Sequence, residues 1–380
     1  MKFLGLIRAN LFRKKIRFIL TIGSFAVALF LFGILAVVRV AFSGGVDIAG
    51  ADRLVIINRT SIIQPLPLAY ADKIRRIPGV KELTYANWFG GVYQDERNFF
   101  PQFAMDVDNW RRVYPEFDIP EEQWQNYVKD RQGAIAGAAT AKRFGWKVGD
   151  RIPIKGTFLG GVWEFNLDGI YHGTRQADDE TQFWFQWKRF DEQVPPQYKG
   201  HVGWYTVKVE HPDDSLRVSK AIDAEFSNSP FETHTDTEKA FAAGWVKQFG
   251  NIQFLIMAIG GVVFFTLLLV TGNTMAIAVR ERTGELAVLK AVGYSDRFVL
   301  LFVLFESLLI AVIGGALGLG LAKLFTLGGD PTRGLLPFFF LPGKAILAGL
   351  GVTLAVGAAS GVIPAIGAMR LRVVDALRRV

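Results

Sequence analysis

The chain has 380 residues, 51% of them hydrophobic, with no cysteine and a formal charge of +8. The lack of cysteine excludes disulfides, Cys-ligated zinc, iron–sulfur clusters and thiol nucleophiles. The charge does not point to nucleic acid. Of the charged residues, 18 basic and 6 acidic lie outside positions 47–249, leaving 25 and 29 within, so the basic excess sits on apolar flanks and not on a folded domain.

Residues 1–17 form a basic N-terminal segment, with Lys2, Arg8, Arg13, Lys14, Lys15 and Arg17. A first transmembrane helix is expected over 18–42, since about 20 apolar residues cross a bilayer and 18–38 carries no charge. The run is longer than the apolar region of a secretory signal and no A-x-A site follows it, so it reads as an uncleaved anchor.

Residues 43–247 read as an α+β domain. Alternation predicts strands over 53–59, 162–171 and 204–210. A helix over 68–77 stops at Pro78-Gly79, and one over 138–144 ends at Gly145 before a Gly149-Asp150 turn and a strand. A further helix over 216–226 puts Val218, Ala221, Ile222 and Phe226 on one face. Phe183, Phe185 and Trp187 alternate with Trp184 opposite, which suits a core strand; the competing reading is an apolar contact surface for a substrate or partner.

A second span with a stalk is expected over 248–279, where 32 residues carry no charge. Such a helix is roughly 48 Å long against a membrane core of about 30 Å. The helical signal begins near Thr237, which favours a stalk over tilt. Residues 280–297 form a charged loop. A third span follows over 298–325, in which 298–322 carries only Glu306 and Lys323 stands at the outer end, then a short loop over 326–343, a fourth span over 344–369 and a tail over 370–380. Lys and Arg gather at 1–17, 280–297 and 370–380, so the termini and the second loop are expected on the cytoplasmic side, and 43–247 outside. The expected fold is thus a membrane protein with four transmembrane α-helices and an α+β extracytoplasmic domain inserted between helices 1 and 2.

Catalytic signatures are missing. There is no G-x-x-x-x-G-K-[ST] for nucleotide phosphates, no H-E-x-x-H and no G-x-S-x-G. His172, His201, His211 and His234 are widely spaced, so neither a metal nor a cofactor site is expected, and the chain is not expected to be an enzyme. Within the charged loop, 285–292 reads as a short amphipathic helix, with Leu286 and Leu289 sharing a face with Gly293 and with Glu281, Arg282, Glu285 and Lys290 expected to face the cytosol. Gly293 fits the end of this helix and Ser295 the cap of the next. Such a helix either docks a soluble partner or is a plain interfacial connection.

The runs Asn273-Thr-Met275, Val279-Arg-Glu-Arg-Thr-Gly-Glu-Leu286, Leu289-Lys-Ala-Val-Gly293, Glu306-Ser-Leu-Leu309 and Gly314-Gly-Ala-Leu-Gly318 resemble the FtsX-like permease domain of the MacB/FtsX/LolCDE type of ABC transporter. The inserted region is similar to the MacB-type periplasmic core through Gly133-Ala-Ile-Ala-Gly137, Ala141-Lys-Arg-Phe-Gly-Trp-Lys-Val-Gly-Asp150 and Phe165-Asn-Leu-Asp-Gly-Ile170. Pro364-Ala-Ile366, Ala368-Met-Arg-Leu371 and Asp375-Ala-Leu-Arg378 also fit, although Val373 or Val374 stands where the family has proline and Asp375 where it has glutamate. A fused nucleotide-binding domain is not expected before the first span.

The resemblance implies a permease paired with a second permease chain and with a separate ABC ATPase subunit, which binds the ATP and Mg. It places ATPase coupling on Arg280, Glu281, Arg282, Glu285, Leu286, Leu289, Lys290 and Gly293. Motion is passed to the outer domain by mechanotransmission, driving export or extraction of a substrate from the periplasm or outer leaflet. A periplasmic adaptor and an outer-membrane channel are further partners, with membrane lipid around the spans and no nucleic acid. The alternative is an FtsX-like regulator that activates cell-wall hydrolases. Glu306 is expected to face the bundle and to serve helix packing. Gly314 and Gly318, and Gly357 and Gly361, form G-x-x-x-G pairs that are expected to let spans approach closely.

Overall fold

The computed structural model describes residues 14–48, 50, 52–175, 178–248, 252–329, 331 and 339–372. Lys2, Arg8, Arg13, residues 249–251 of the expected stalk, Arg333 and the tail departures at Val373, Val374 and Asp375 lie outside the described residues.

In chain order, helix α1 (Lys15–Ile48) is followed by β1 (Arg53–Asn58), β2 (Leu66–Pro67), α2 (Tyr70–Arg75), β3 (Val80–Trp88), β4 (Gly91–Val92) and β5 (Gln102–Met105). Next come α3 (Trp110–Val113), β6 (Phe117–Asp118), α4 (Glu121–Lys129), β7 (Gly133–Gly137), α5 (Ala138–Phe144), β8 (Arg151–Gly156) and β9 (Val162–Gly173). The domain continues with β10 (Phe183–Gln186), α6 (Trp187–Gln193), β11 (His201–Val202), β12 (Trp204–Val209), α7 (Ser215–Glu225), β13 (Thr233–Thr237) and α8 (Glu238–Gln248). The remaining helices are α9 (Ile252–Glu281), α10 (Thr283–Ala291), α11 (Asp296–Leu327) and α12 (Gly343–Met369).

The chain divides into two units, residues 41–250 with 330–338, and residues 1–40 with 251–329 and 339–380. The first is the inserted α+β domain. Among its described residues one mixed sheet runs β13-β1-β12-β3-β5-β10-β7-β9-β8-β4, with β6 beside β9. Most neighbours are antiparallel, but β10 runs parallel to β5 and β7 parallel to β9. Helices cover both faces. Phe183, Phe185 and Trp187 pack with Ile74, Val218 and Phe226 on one side. Trp184 packs with Trp110, Trp124, Tyr127 and Tyr171 on the other. The Trp184 and Tyr171 rings stack in parallel, 4.0 Å apart. A strand with both faces covered has no polar alternation, which is why all four residues of β10 are buried.

The domain's two chain connections meet on neighbouring strands. β1, which follows α1, pairs with β13, which precedes α8, in the register Leu54↔Thr237. At this corner the buried Arg53 guanidinium reaches Glu238 at 2.6 Å and Glu116 at 2.8 Å. It also lies 4.6 Å from the centre of the Tyr114 ring. Burial works against the charged guanidinium, but the surrounding groups, Glu238 foremost, raise its pKa above the ordinary arginine value.

The second unit is the membrane bundle. Among the described residues four helices are long and apolar enough to cross a membrane, within α1, α9, α11 and α12. They pack through small residues. A Cβ placed on Gly314 would lie 2.5 Å from Phe25 Cβ, and one on Gly318 would lie 2.9 Å from Leu29 Cβ, so this pair lets α11 touch α1. Gly357 and Gly361 on α12 face Ala311 and Ser307 of α11 in the same way. There Ser307 Oγ donates to the Gly357 carbonyl at 2.7 Å. α9 packs on α12.

Candidate functional site

The charged segment between α9 and α11 is built by local rules. Arg282 leaves helical geometry, at φ −106° and ψ 17°, which ends α9 and opens α10. Gly293 has φ +103°, a conformation that favours glycine. Its N–H donates to the Lys290 carbonyl and that of Tyr294 to the Leu289 carbonyl, both at 3.1 Å, which closes α10 in a Schellman motif. Ser295 then caps α11, its Oγ accepting from Phe298 N at 3.3 Å.

The charges of this segment are mostly tied to the bundle. The Glu281 carboxylate accepts from Lys14 at 2.7 Å and from Arg17 at 2.8 Å, both near the start of α1. Arg282 makes a two-pronged contact with Glu306 of α11, at 2.6 and 2.9 Å. The Glu306 side chain is 5% exposed. Lys290 donates to the carbonyls of Met369 at 2.6 Å and Leu371 at 2.9 Å, satisfying acceptors at the end of α12. It also pairs with Asp296 at 2.8 Å.

These contacts correct the expected outward set. Arg282 and Lys290 do not face solvent; they point into the bundle with Leu286, while Leu289 is half-buried. The spacing contained this: Arg282, Leu286 and Lys290 follow at i, i+4 and lie on one helical face. Arg280 and Glu285 are exposed, as is Glu281 in part. The residues that the sequence reading passed over are Val288, Val292 and Tyr294, which are 52%, 75% and 37% exposed. Val288 and Val292 lie three and seven residues past Glu285, so they extend its face. Glu306 faces the bundle, as its cost in lipid requires.

The aromatic alternative is also corrected. Phe183, Trp184 and Phe185 are fully buried and Trp187 nearly so, hence they form core and offer no contact surface. Their polar atoms are engaged internally: Trp184 Nε1 donates to Gln182 at 2.9 Å and Trp187 Nε1 to Asn87 at 2.7 Å. Trp187 moreover starts α6 and does not continue the strand.

The profile of the MacB-like periplasmic core domain matches residues 18–225, and that of the FtsX-like permease C-terminal domain matches residues 257–373. An uncharacterized ABC transporter permease of Methanocaldococcus jannaschii, MJ1507, is 25% identical over 324 residues, which cover 80% of this chain and 77% of that one. The macrolide export ATP-binding/permease protein MacB of Campylobacter fetus is 35% identical over 107 residues, 28% of this chain and 16% of that protein. Among solved structures, the periplasmic region of MacB from Actinobacillus actinomycetemcomitans aligns with 52% of this chain and 94% of its own, at 11% identity and a TM-score of 0.37. The periplasmic-core match covers more than half of the chain and the permease match most of the remainder, and the chain therefore belongs to the family of ABC transporter permeases with a MacB-like periplasmic core and an FtsX-like permease domain.

Proposed function

We propose that the chain is the permease subunit of a MacB-like ABC transporter and works with a separate ATPase subunit and a second permease chain. Both termini and α10 face the cytoplasm, and the inserted domain lies outside the inner membrane. Two ATPase subunits, each holding its own ATP and Mg, close below the membrane and move α10. The 30-residue helix α9 carries that movement toward the inserted domain, with no reaction catalysed by the permease itself. Substrate is exported, or extracted from the periplasm or outer leaflet, by outside motion, with an adaptor and an outer-membrane channel completing the path.

The observation that carries this reading is the two-sided character of α10. Its inner side is fastened to the bundle, whereas Glu285, Val288 and Val292 form an exposed face beside Arg280. An apolar stripe next to charged groups suits a protein partner, whose docking would remove the valines from water. The one acid within the spans is engaged by Arg282, which suits a bundle acting as a lever better than a polar conduit.

The test is purification of the full chain from crosslinked membranes. An ABC ATPase should copurify with the wild type, and Glu285→Lys should reduce that capture about tenfold, as reversing an interface charge often does. Unchanged capture would remove Glu285 from the docking face. A cell-wall hydrolase in place of an adaptor would turn the reading toward an FtsX-like regulator.

A further inference from the structure

We infer that Glu281 and Arg282 are positioning residues, a two-charge clamp that fastens the α9–α10 junction to the start of α1 and to α11 so that a load on α10 reaches three spans at once. The inference rests on the reading of α10 as the ATPase-docking element. Glu281 is the last residue of α9, and Arg282 breaks its helical geometry. Neighbouring side chains are thereby sent to different helices, Glu281 to Lys14 and Arg17 and Arg282 to Glu306. Lys290 adds the fourth span by holding the end of α12. Every helix of the bundle is thus tied to α10 through a charged contact or through the chain itself.

Stability alone does not account for the inner pair. Taking a guanidinium and a carboxylate out of water is expensive, and well-packed apolar residues of similar volume are often as stable or more so. What a two-pronged Arg–carboxylate contact supplies is a fixed geometry. The clamp can also move. Lys14, Arg17, Glu281, Arg282 and Glu306 all line one half-open cavity of about 370 Å³. That opening leaves these side chains room to move. The pairs can therefore part and re-form as α10 shifts, which a close-packed apolar contact would not allow.

The test uses the full chain in lipid nanodiscs. It has no native cysteine, so spin labels can be placed at will. One pair goes on Ile16 and Val292, both exposed, to report the position of α10 against α1. A second goes on Val27 and Leu321, also exposed, to report the packing of the bundle. Arg282→Gln and Glu306→Gln should turn a single narrow Ile16–Val292 distance into a spread, while Val27–Leu321 stays narrow. The exchange Arg282→Glu with Glu306→Arg should recover the narrow distance, which a loss of bulk packing would not. Unchanged Ile16–Val292 distances in both Gln variants overturn the clamp. If the Gln variants also loosen the second pair, Arg282→Lys replaces them: a spread confined to Ile16–Val292 supports the clamp and a wild-type distance overturns it. With the captured ABC ATPase added, the Gln variants should keep binding but lose stimulated hydrolysis about tenfold, the scale of a typical coupling between sites. Equal hydrolysis overturns the role in coupling. Failure of the wild type to capture any ATPase overturns the docking reading, while the label distances still decide the clamp.

Discussion

The inserted domain and the membrane bundle are held together by opposite kinds of side chain. All nine tryptophans of the chain lie between positions 88 and 245. Six of them, Trp110, Trp124, Trp146, Trp163, Trp184 and Trp187, are buried in an aromatic core on both faces of the domain's sheet. The bundle has none, and its helices meet at Gly314, Gly318, Gly357, Gly361 and Ser307. The difference follows from the surroundings. In water, removing large apolar surface drives folding, so big rings are the best material. In lipid the tails are as apolar as the core, and close contact between backbones matters more. The two regions converge in one respect. Each buries an Arg–carboxylate cluster where the chain changes direction, Arg53 with Glu116 and Glu238 in the domain, and Arg282 with Glu306 in the bundle.

The comparison can be broken hardest at Arg53. Arg53→Met leaves Glu238 buried without its cation and Glu116 with only the half-exposed Arg175 at 3.9 Å, and breaking a buried pair costs about 3–5 kcal/mol. Thermal unfolding followed by tryptophan fluorescence should fall by about 10 °C, at the 2–4 °C per kcal/mol usual for a domain of this size. A shift of under a degree would show that the cluster is not what holds the β1–β13 corner. In the bundle the corresponding break is steric. Gly318→Leu puts a side chain against the Ala26 carbonyl and Leu29, and should cost about 1–3 kcal/mol and prevent recovery of a monodisperse protein in detergent. Gly320→Ala is the control, because a Cβ there meets nothing within 4 Å. Equal behaviour of the two variants would mean that the small-residue face is incidental.

What was legible in the sequence is what short-range physics decides. Gly145 and Gly293 end helices in left-handed geometry and Ser295 caps one, because each acts within a turn of its own position. The four spans follow from apolar length alone. The partners of charged residues were not legible. Glu306 lies 24 residues beyond Arg282, and the carbonyls that hold Lys290 lie about 80 residues beyond it. The helical spacing of Arg282, Leu286 and Lys290 did show a shared inward face, yet the assumption that charge implies solvent overrode it. The β10 aromatics were ambiguous for a related reason. Alternation shows that a strand has two faces, but whether α3 and α4 cover the second face depends on a strand order, β5-β10-β7, that no local pattern encodes.

The smallest expected effect sharpens the comparison, because it concerns a charge in the domain that has no cation partner among the described residues. Asp168 is the extra residue of a bulge in β9: Ala134 pairs with Leu167 and Ile135 with Gly169. Its Oδ2 is buried and has no hydrogen-bond partner among the described residues. Burial, and then the Asp130 carboxylate, push its pKa up to about 6. A carboxylate whose folded pKa lies above its unfolded value of about 3.9 binds its proton more tightly when folded. The folded state therefore loses stability as the pH rises from about 4 through 6, and the full penalty is present at pH 7.5. Asp168→Asn removes the ionisation. Because the group is partly exposed, solvent screening reduces the gain to about 1 kcal/mol, or roughly 2–4 °C in the midpoint for a domain of this size. The variant should therefore melt higher than wild type at pH 7.5, with the gap closing as the pH falls toward 5. Tryptophan fluorescence of the full chain in detergent reads this domain alone, since the bundle is silent. A variant that melts at or below the wild-type temperature at pH 7.5 would mean that Asp168 meets its charge with a partner, as Arg53 and Glu306 do.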